Sequence, residues 1–102
     1  MIDWDRIAEL RDEVGEDDFA EVLEMFFAEV DETLAGLRGA NDAALKNGLH
    51  FLKGAALNIG MAEVSGLCLA GEKGLADGKA PDLSAIAVAL ETSQAEMREM
   101  LA

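Results

Sequence analysis

The amino-acid sequence predicts an all-α protein, an antiparallel four-helix bundle with a short additional N-terminal helix. Alanine, leucine and glutamate, which are good helix formers, dominate the chain, whereas β-branched and aromatic residues are sparse. Apolar residues recur at steps of three and four along most of the sequence, which is the period of an amphipathic helix. Glycines and a single proline interrupt these stripes, so the chain divides into helices with short connections, which favour antiparallel packing.

The first two helices are separated by Gly15, which breaks the apolar pattern. Asp3 is predicted to cap the first helix, since its carboxylate can accept a hydrogen bond from a free backbone N–H of the first turn. This short helix carries Trp4, Ile7, Ala8 and Leu10. The second helix is longer and ends at Gly39. Its apolar stripe consists of Phe19, Val22, Leu23, Phe26, Val30, Leu34 and Leu37.

Three further helices follow. Asn41 or Asp42 begins the third, and Gly60 is predicted to cap its C-terminus. Its buried stripe is Leu45, Leu49, Leu52, Ala56 and Ile59. The stripe of the fourth helix is Val64, Leu67, Cys68, Gly71 and Leu75. Pro81 and Asp82 mark the turn into the last helix. The core residues of that helix are Leu83, Ile86, Leu90, Met97 and Leu101.

Length and composition restrict the possible functions. At 102 residues the chain is predicted to be one domain, 1–102, too small to hold a nucleotide-binding kinase domain as well. The net charge of −13 argues against binding to nucleic acid, which requires a basic surface. No apolar run is long enough to cross a bilayer, and the N-terminus lacks the pattern of a signal peptide. The single Cys68 cannot form an internal disulfide, so a cytoplasmic protein with no membrane partner is expected.

The segment from His50 to Gly60 carries the most informative chemistry. His50 is the only histidine, and Lys53 and Gly54 follow it by three and four residues, which places them on its side of a helix. The imidazole is predicted to point to solvent, since His50 lies about 100° round the helix from the buried Leu49. Glycine inside a helix costs roughly 1 kcal/mol relative to alanine, which indicates a need for close approach at Gly54. A phosphate-carrying histidine needs these three features: a nucleophilic nitrogen, a cation and open space.

This segment resembles the signature of histidine-containing phosphotransfer (HPt) domains, which are four-helix modules of multistep phosphorelays. The matching run is His50-x-Leu52-Lys53-Gly54-Ala55-Ala56-x-Asn58-Ile59-Gly60, continued by Val64, Ser65, Cys68 and Glu72. The resemblance covers nearly the whole chain, and its specific core runs from His50 to Glu72. It implies a phosphoryl carrier without ATP-dependent kinase activity of its own, which shuttles a phosphoryl group between aspartates of response-regulator receiver domains in a two-component phosphorelay.

The resemblance also implies a role for each residue of the site. His50 is the phosphoacceptor and attacks through Nε2, Lys53 lies near the phosphoryl oxygens, and Gly54 leaves room for the incoming domain. A carboxylate at the position of Glu72 hydrogen-bonds Nδ1 of the imidazole and so leaves Nε2 free as the nucleophile. No bound cofactor or metal is expected in this chain, and the Mg²⁺ needed for transfer is expected on the partner receiver domain.

A docking surface is expected around the histidine. Lys46 lies one turn before His50, while Leu57 and Met61 are predicted to extend the same face as an apolar border, although the pattern equally allows Met61 to cap the core. The partners implied by the resemblance are response-regulator receiver domains and a hybrid sensor histidine kinase. The protein itself is expected to be a monomer.

Two positions depart from the pattern of the family. Leu49 stands where alanine is more common, which suggests altered packing. Ala76 stands where some members carry a further basic residue, so Lys53 is the expected cation for the phosphate.

Two other interpretations of the function remain open. In one, an ATP-bound kinase domain phosphorylates His50 directly, as in chemotaxis-type histidine kinases. In the other, the protein is a helical adaptor that sequesters a receiver domain by binding alone.

Overall fold

The computed structural model describes residues 1–101, and these form five α-helices. The helices are α1 (Trp4–Val14), α2 (Glu16–Leu37), α3 (Asp42–Asn58), α4 (Ala62–Ala76) and α5 (Leu83–Leu101). Within the described residues the extended structure is limited to an isolated antiparallel bridge between Ile2 and Met61. The predicted all-α class is therefore confirmed. None of the helices in this part of the chain is both long enough and apolar enough to span a membrane.

The four long helices contact one another in a closed ring. α3 packs against α2 and α4, and α5 packs against the same two helices on the other side of the molecule. α1 packs against α2. The molecule is elongated, with principal extents of 44 × 21 × 21 Å. Each long helix therefore presents one face to the core and leaves another exposed along the length of the molecule.

The predicted stripes supply most of the core. Its largest fully buried side chains include Phe19, Leu23, Leu49, Leu52, Ile59, Ile86, Leu90 and Met97. α2 is rotated slightly from the predicted stripe, since Phe27 is buried whereas Phe26 is only half-buried. The guanidinium of Arg98 on α5 lies over the Phe27 ring, 5.0 Å from its centroid. Contact with α5 therefore selects Phe27 for the core and leaves Phe26 at the edge, toward α3.

The predicted capping residues fix several helix ends. Asp3, Asn41 and Asp82 each accept a hydrogen bond from the backbone N–H three residues on, at 3.2, 2.9 and 2.9 Å. A cap of this kind contributes about 1 kcal/mol to helix stability. Gly15, with a φ of 92°, separates α1 from α2 as predicted. These boundaries follow from local chemistry that is visible in the sequence.

Gly60 ends α3 in the left-handed conformation that glycine favours, with a φ of 74°. The N–H of Met61 donates to the carbonyl of Ala56 at 2.8 Å, and the N–H of Gly60 donates to the carbonyl of Leu57 at 3.3 Å. A Cβ at Gly60 would also lie 2.8 Å from the carbonyl oxygen of Asp3. Glycine is therefore required at position 60 for two reasons: the backbone has a positive φ there, and the N-terminal segment passes too close to leave room for a side chain.

Polar contacts attach α5 to α2. Arg98 donates from Nε and Nη2 to the two carboxylate oxygens of Glu24, at 2.9 and 2.8 Å. This hydrogen bonding holds the pKa of the Glu24 carboxyl below its ordinary value. The buried Gln94 donates to Oδ1 of Asp31 at 2.8 Å. Both contacts lie on the side of the ring away from α3, so the exposed face of α3 is left open.

Candidate functional site

His50 lies near the middle of α3, on its exposed side. The His50 side chain is 75% exposed, whereas Leu49 and Leu52 are fully buried in the core. The exposure follows from the helical period, because one residue turns the chain by about 100°. The imidazole is consequently accessible to another protein without any movement of the helices.

Glu72 of α4 lies beside the imidazole. Its Oε2 is 3.7 Å from Nδ1 of His50, which is longer than a formed N–H···O hydrogen bond. Close packing of α4 on α3 creates this proximity: a Cβ at Gly71 would lie 3.1 Å from Cδ1 of Leu49. With Gly71 against the core, the next residue, Glu72, reaches the edge of the α3 surface. The carboxylate therefore faces the Nδ1 side of the ring without bonding to it.

Lys53 is paired with Glu72. Its Nζ lies 3.0 Å from Oε1 of Glu72, and the two side chains are only 22% and 19% exposed. Oε1 is inaccessible to solvent and has no hydrogen-bond partner of good geometry among residues 1–101, so the contact is an ion pair without a well-directed hydrogen bond. The carboxylate of Glu72 thus holds the ammonium of Lys53 near Nδ1 of His50.

An open groove of about 530 Å³ lies between α2 and α3, next to His50. This α2–α3 groove is lined by Phe26, Glu29, His50, Phe51, Gly54, Ala55 and Asn58. Phe51 is 46% exposed, so the groove presents aromatic surface to solvent. A Cβ at Gly54 would meet no atom within 4 Å. Packing within the protein therefore does not require glycine at this position, which supports a requirement from outside.

A smaller recess of about 230 Å³ lies on the other side of His50, between α3 and α4. It is lined by Asp42, Ala43, Lys46, Glu72, Leu75 and Ala76. Lys46 is exposed and shares this recess with Ala76. The structure therefore places a second cation, Lys46, on the same side of His50 as Lys53.

The prediction that Met61 borders the docking surface is wrong. Its side chain is completely buried, because the turn at Gly60 directs the chain inward and Met61 pairs with Ile2 across the isolated bridge. Leu57 lies on the surface and is 58% exposed. Its role in docking, like that of Lys46, stays a prediction.

Sequence reasoning missed the contribution of α2 and of the end of α3. Phe26 and Glu29 line the groove from α2, and Asn58 lines it from the last turn of α3. The position of Phe51 could have been found, because this residue follows His50 directly and lies about 100° round the helix. No signal in the sequence showed which neighbouring helix that side of α3 faces.

Cys68, a buried free thiol on α4, is expected to be unreactive in the folded protein. Burial, helped by the nearby Glu72 carboxylate, raises the pKa of the thiol to about 11. At about pH 8 its thiolate fraction is then about a hundredfold below that of an unperturbed thiol. Reaction with a chromogenic disulfide reagent at that pH should be slow in buffer and fast in denaturant. Fast reaction in buffer would contradict the burial of Cys68.

Comparison with known proteins gives one result. The family model described as Hpt domain matches residues 21–102. The match includes every residue of the site and begins within α2, so α1 lies outside it. No curated protein and no solved structure matches the chain.

Proposed function

The chain belongs to the Hpt domain family, whose members carry out histidine phosphotransfer in two-component phosphorelays, and we propose that it shuttles a phosphoryl group between receiver aspartates through His50. The observation that carries the proposal is the exposed imidazole of the only histidine. It lies within the family match, between an open groove and a carboxylate that faces Nδ1. The protein would then act as a carrier and would have no kinase activity of its own.

The transfer step follows from the two nitrogens of the imidazole. With the proton on Nδ1, the lone pair on Nε2 attacks phosphorus of a receiver phosphoaspartate. An N–P bond forms, the P–O bond to the aspartate breaks, and the aspartate leaves as a carboxylate. In the second half of the relay a carboxylate oxygen of another receiver attacks phosphorus, and the N–P bond breaks. Docking must hold attacking and leaving atoms in line, since positioning supplies most of the catalysis in such transfers.

The charges around His50 suit this step. Glu72 favours the tautomer with the proton on Nδ1 and balances the positive charge that the ring gains when Nε2 is phosphorylated. Lys53, which is paired with Glu72, and the exposed Lys46 are the cations of α3 available to phosphoryl oxygens. We propose that the chain needs no resident cofactor, and that Mg²⁺ on the receiver neutralises charge on the transferring group.

The proposal extends to the architecture and setting of the protein. The contacts of α2, α3, α4 and α5 in a closed ring support an antiparallel four-helix bundle, with α1 as the additional N-terminal helix and residues 1–102 as one domain.

A monomer is proposed because the exposed groove already provides the surface that a receiver needs. A cytoplasmic location is proposed because the chain's single thiol is buried and unpaired.

The proposed function is tested by phosphotransfer from a panel of receiver domains. Each receiver is first phosphorylated with acetyl phosphate and Mg²⁺ and then mixed with the protein, and intact mass reports any phosphoryl group gained. The expected label is lost in acid, survives base and maps to the peptide that contains His50. Absence of label from every receiver would contradict the relay. Labelling by an ATP-bound kinase domain in the absence of any receiver would then support direct phosphorylation, and stable receiver binding without transfer would support an adaptor.

Replacement of Glu72 by glutamine is expected to slow phosphoryl acceptance about tenfold, because the neutral amide no longer favours the proton on Nδ1. The measurement is the initial rate of transfer from a phosphorylated receiver, together with the ¹⁵N shifts of the imidazole, which report the tautomer. Glu99→Gln makes the same change of charge on the exposed side of α5 and is the matched control. Equal rates for the two variants would show that Glu72 does not act on His50.

A further inference from the structure

The N-terminal segment makes several close polar contacts with the end of α3. Arg6 of α1 donates from Nε to the carbonyl of Asn58 at 2.9 Å and from Nη2 to Oδ1 of Asn58 at 2.8 Å. Nearby, the N–H of Asp3 donates to the carbonyl of Gly60 at 2.8 Å. The family match begins at residue 21, so these contacts come from outside the matched segment. The end of α3 is thus held by an element that the family model does not include.

Arg6 is itself held in place. Its Nη1 lies 3.5 Å from Oε2 of Glu9 and 3.4 Å from Oε1 of Glu13, and its side chain is only 22% exposed. These acidic residues lie one and two turns further along α1 and balance the charge of the guanidinium. The geometry of Arg6 toward α3 is therefore set by contacts on both sides of its guanidinium.

The contact with Arg6 determines which way the amide of Asn58 points. A guanidinium can only donate, so the atom bonded to Nη2 must be the amide oxygen of Asn58. The amide nitrogen then points away from Arg6, and no group within residues 1–101 accepts a hydrogen bond from it. Asn58 also lines the α2–α3 groove beside His50. It is eight residues from His50, which is roughly 12 Å along the helix axis. The groove therefore has a free pair of N–H donors at its far end.

From this geometry we propose that Asn58 is a docking residue, which donates a hydrogen bond from its side-chain amide to an oxygen acceptor on the receiver domain. Arg6 is its positioning residue, because it holds the amide in the orientation that presents the nitrogen. This inference rests on the proposed function and adds a specific polar contact to the aromatic surface of the groove. It also gives α1 a role in recognition.

The test uses Asn58→Asp, which keeps an acceptor for Arg6 and replaces the amide donors by a carboxylate oxygen. The expected result is about a tenfold rise in the KM for the phosphorylated receiver at unchanged kcat, since the oxygen acceptor on the receiver then faces a carboxylate that cannot donate to it. Labelling of His50 by phosphoramidate, a small phosphodonor that needs no docking, should not change. Arg6→Met should raise KM in the same direction by a smaller factor, again without loss of phosphoramidate labelling.

Asn47→Asp is the matched control, because it makes the same change on the exposed surface of α3 but does not line the groove. Equal KM values for Asn58→Asp and Asn47→Asp would overturn the inference, since the effect would then be one of net charge. A fall in kcat or in phosphoramidate labelling would overturn it too, because the change would then reach His50 itself. If the wild-type protein takes phosphoryl groups from phosphoramidate but from no receiver, the proposed function fails and this inference fails with it.

Discussion

Replacement of His50 by alanine is expected to abolish phosphoryl acceptance from every donor and to leave the fold intact. The side chain is 75% exposed and its neighbours in the core do not depend on it, so no cavity is created. Alanine is also the better helix former, by up to about 0.7 kcal/mol. The measurements are intact mass after incubation with a phosphorylated receiver and the midpoint of thermal unfolding. A phosphoryl group found on the folded variant would place the acceptor elsewhere in the chain.

The same variant separates a carrier from an adaptor. Docking is expected to depend on the groove, so receivers should bind the alanine variant within a few-fold of the wild-type affinity. A carrier then loses its biological effect although binding is retained. An adaptor keeps both, and survival of the effect in cells that express only the alanine variant would favour sequestration over phosphotransfer.

Replacement of Gly54 by glutamine is expected to have opposite effects on stability and on activity. A Cβ at this position meets no atom within 4 Å, and removal of a glycine from inside a helix stabilises it by roughly 1 kcal/mol. The longer side chain would, however, occupy the space next to His50 that an incoming receiver needs. A displacement of about 1 Å from the in-line position can cost about a hundredfold in rate. We therefore expect a higher unfolding midpoint and transfer slowed about a hundredfold.

Gly66→Gln provides the matched control. Gly66 is also an exposed helical glycine with open space around its Cβ position. It lies on α4, about 120° round that helix from Glu72, and is not part of the groove or recess beside His50. This variant should gain similar stability and transfer at the wild-type rate. Near-normal transfer by the folded Gly54→Gln protein would contradict close approach at this position.

The helix boundaries and the exposure of His50 could be predicted from the sequence because they depend on local chemistry. A capping carboxylate such as that of Asp3 acts within one turn, and a glycine such as Gly60 acts through its own φ angle. The direction of His50 follows from the 3.6-residue period of the helix that carries it. The resemblance to Hpt domains, which the family match confirms, also rests on residue types at fixed spacing along one segment.

Contacts between distant segments could not be predicted in this way. Met61 is buried because the N-terminal strand-like segment at Ile2 pairs with it. Phe27 is chosen over Phe26 because α5 approaches that side of α2. The apolar pattern allowed Met61 to lie either in the core or at its border, and it allowed either phenylalanine of α2 to be buried. In both cases a contact from another part of the chain decided the outcome.

The sequence by itself determined the helical class, the helix ends, the exposed position of His50 and the glycine one turn from it, since each depends on interactions within a few residues. Only the tertiary structure decided what surrounds His50. The ion pair of Lys53 with Glu72 joins α3 to α4, and the contact of Arg6 with Asn58 joins α1 to α3. These contacts depend on the distance and rotation between packed helices, which are set by the fit of the whole core and do not appear in the spacing of residues along one helix.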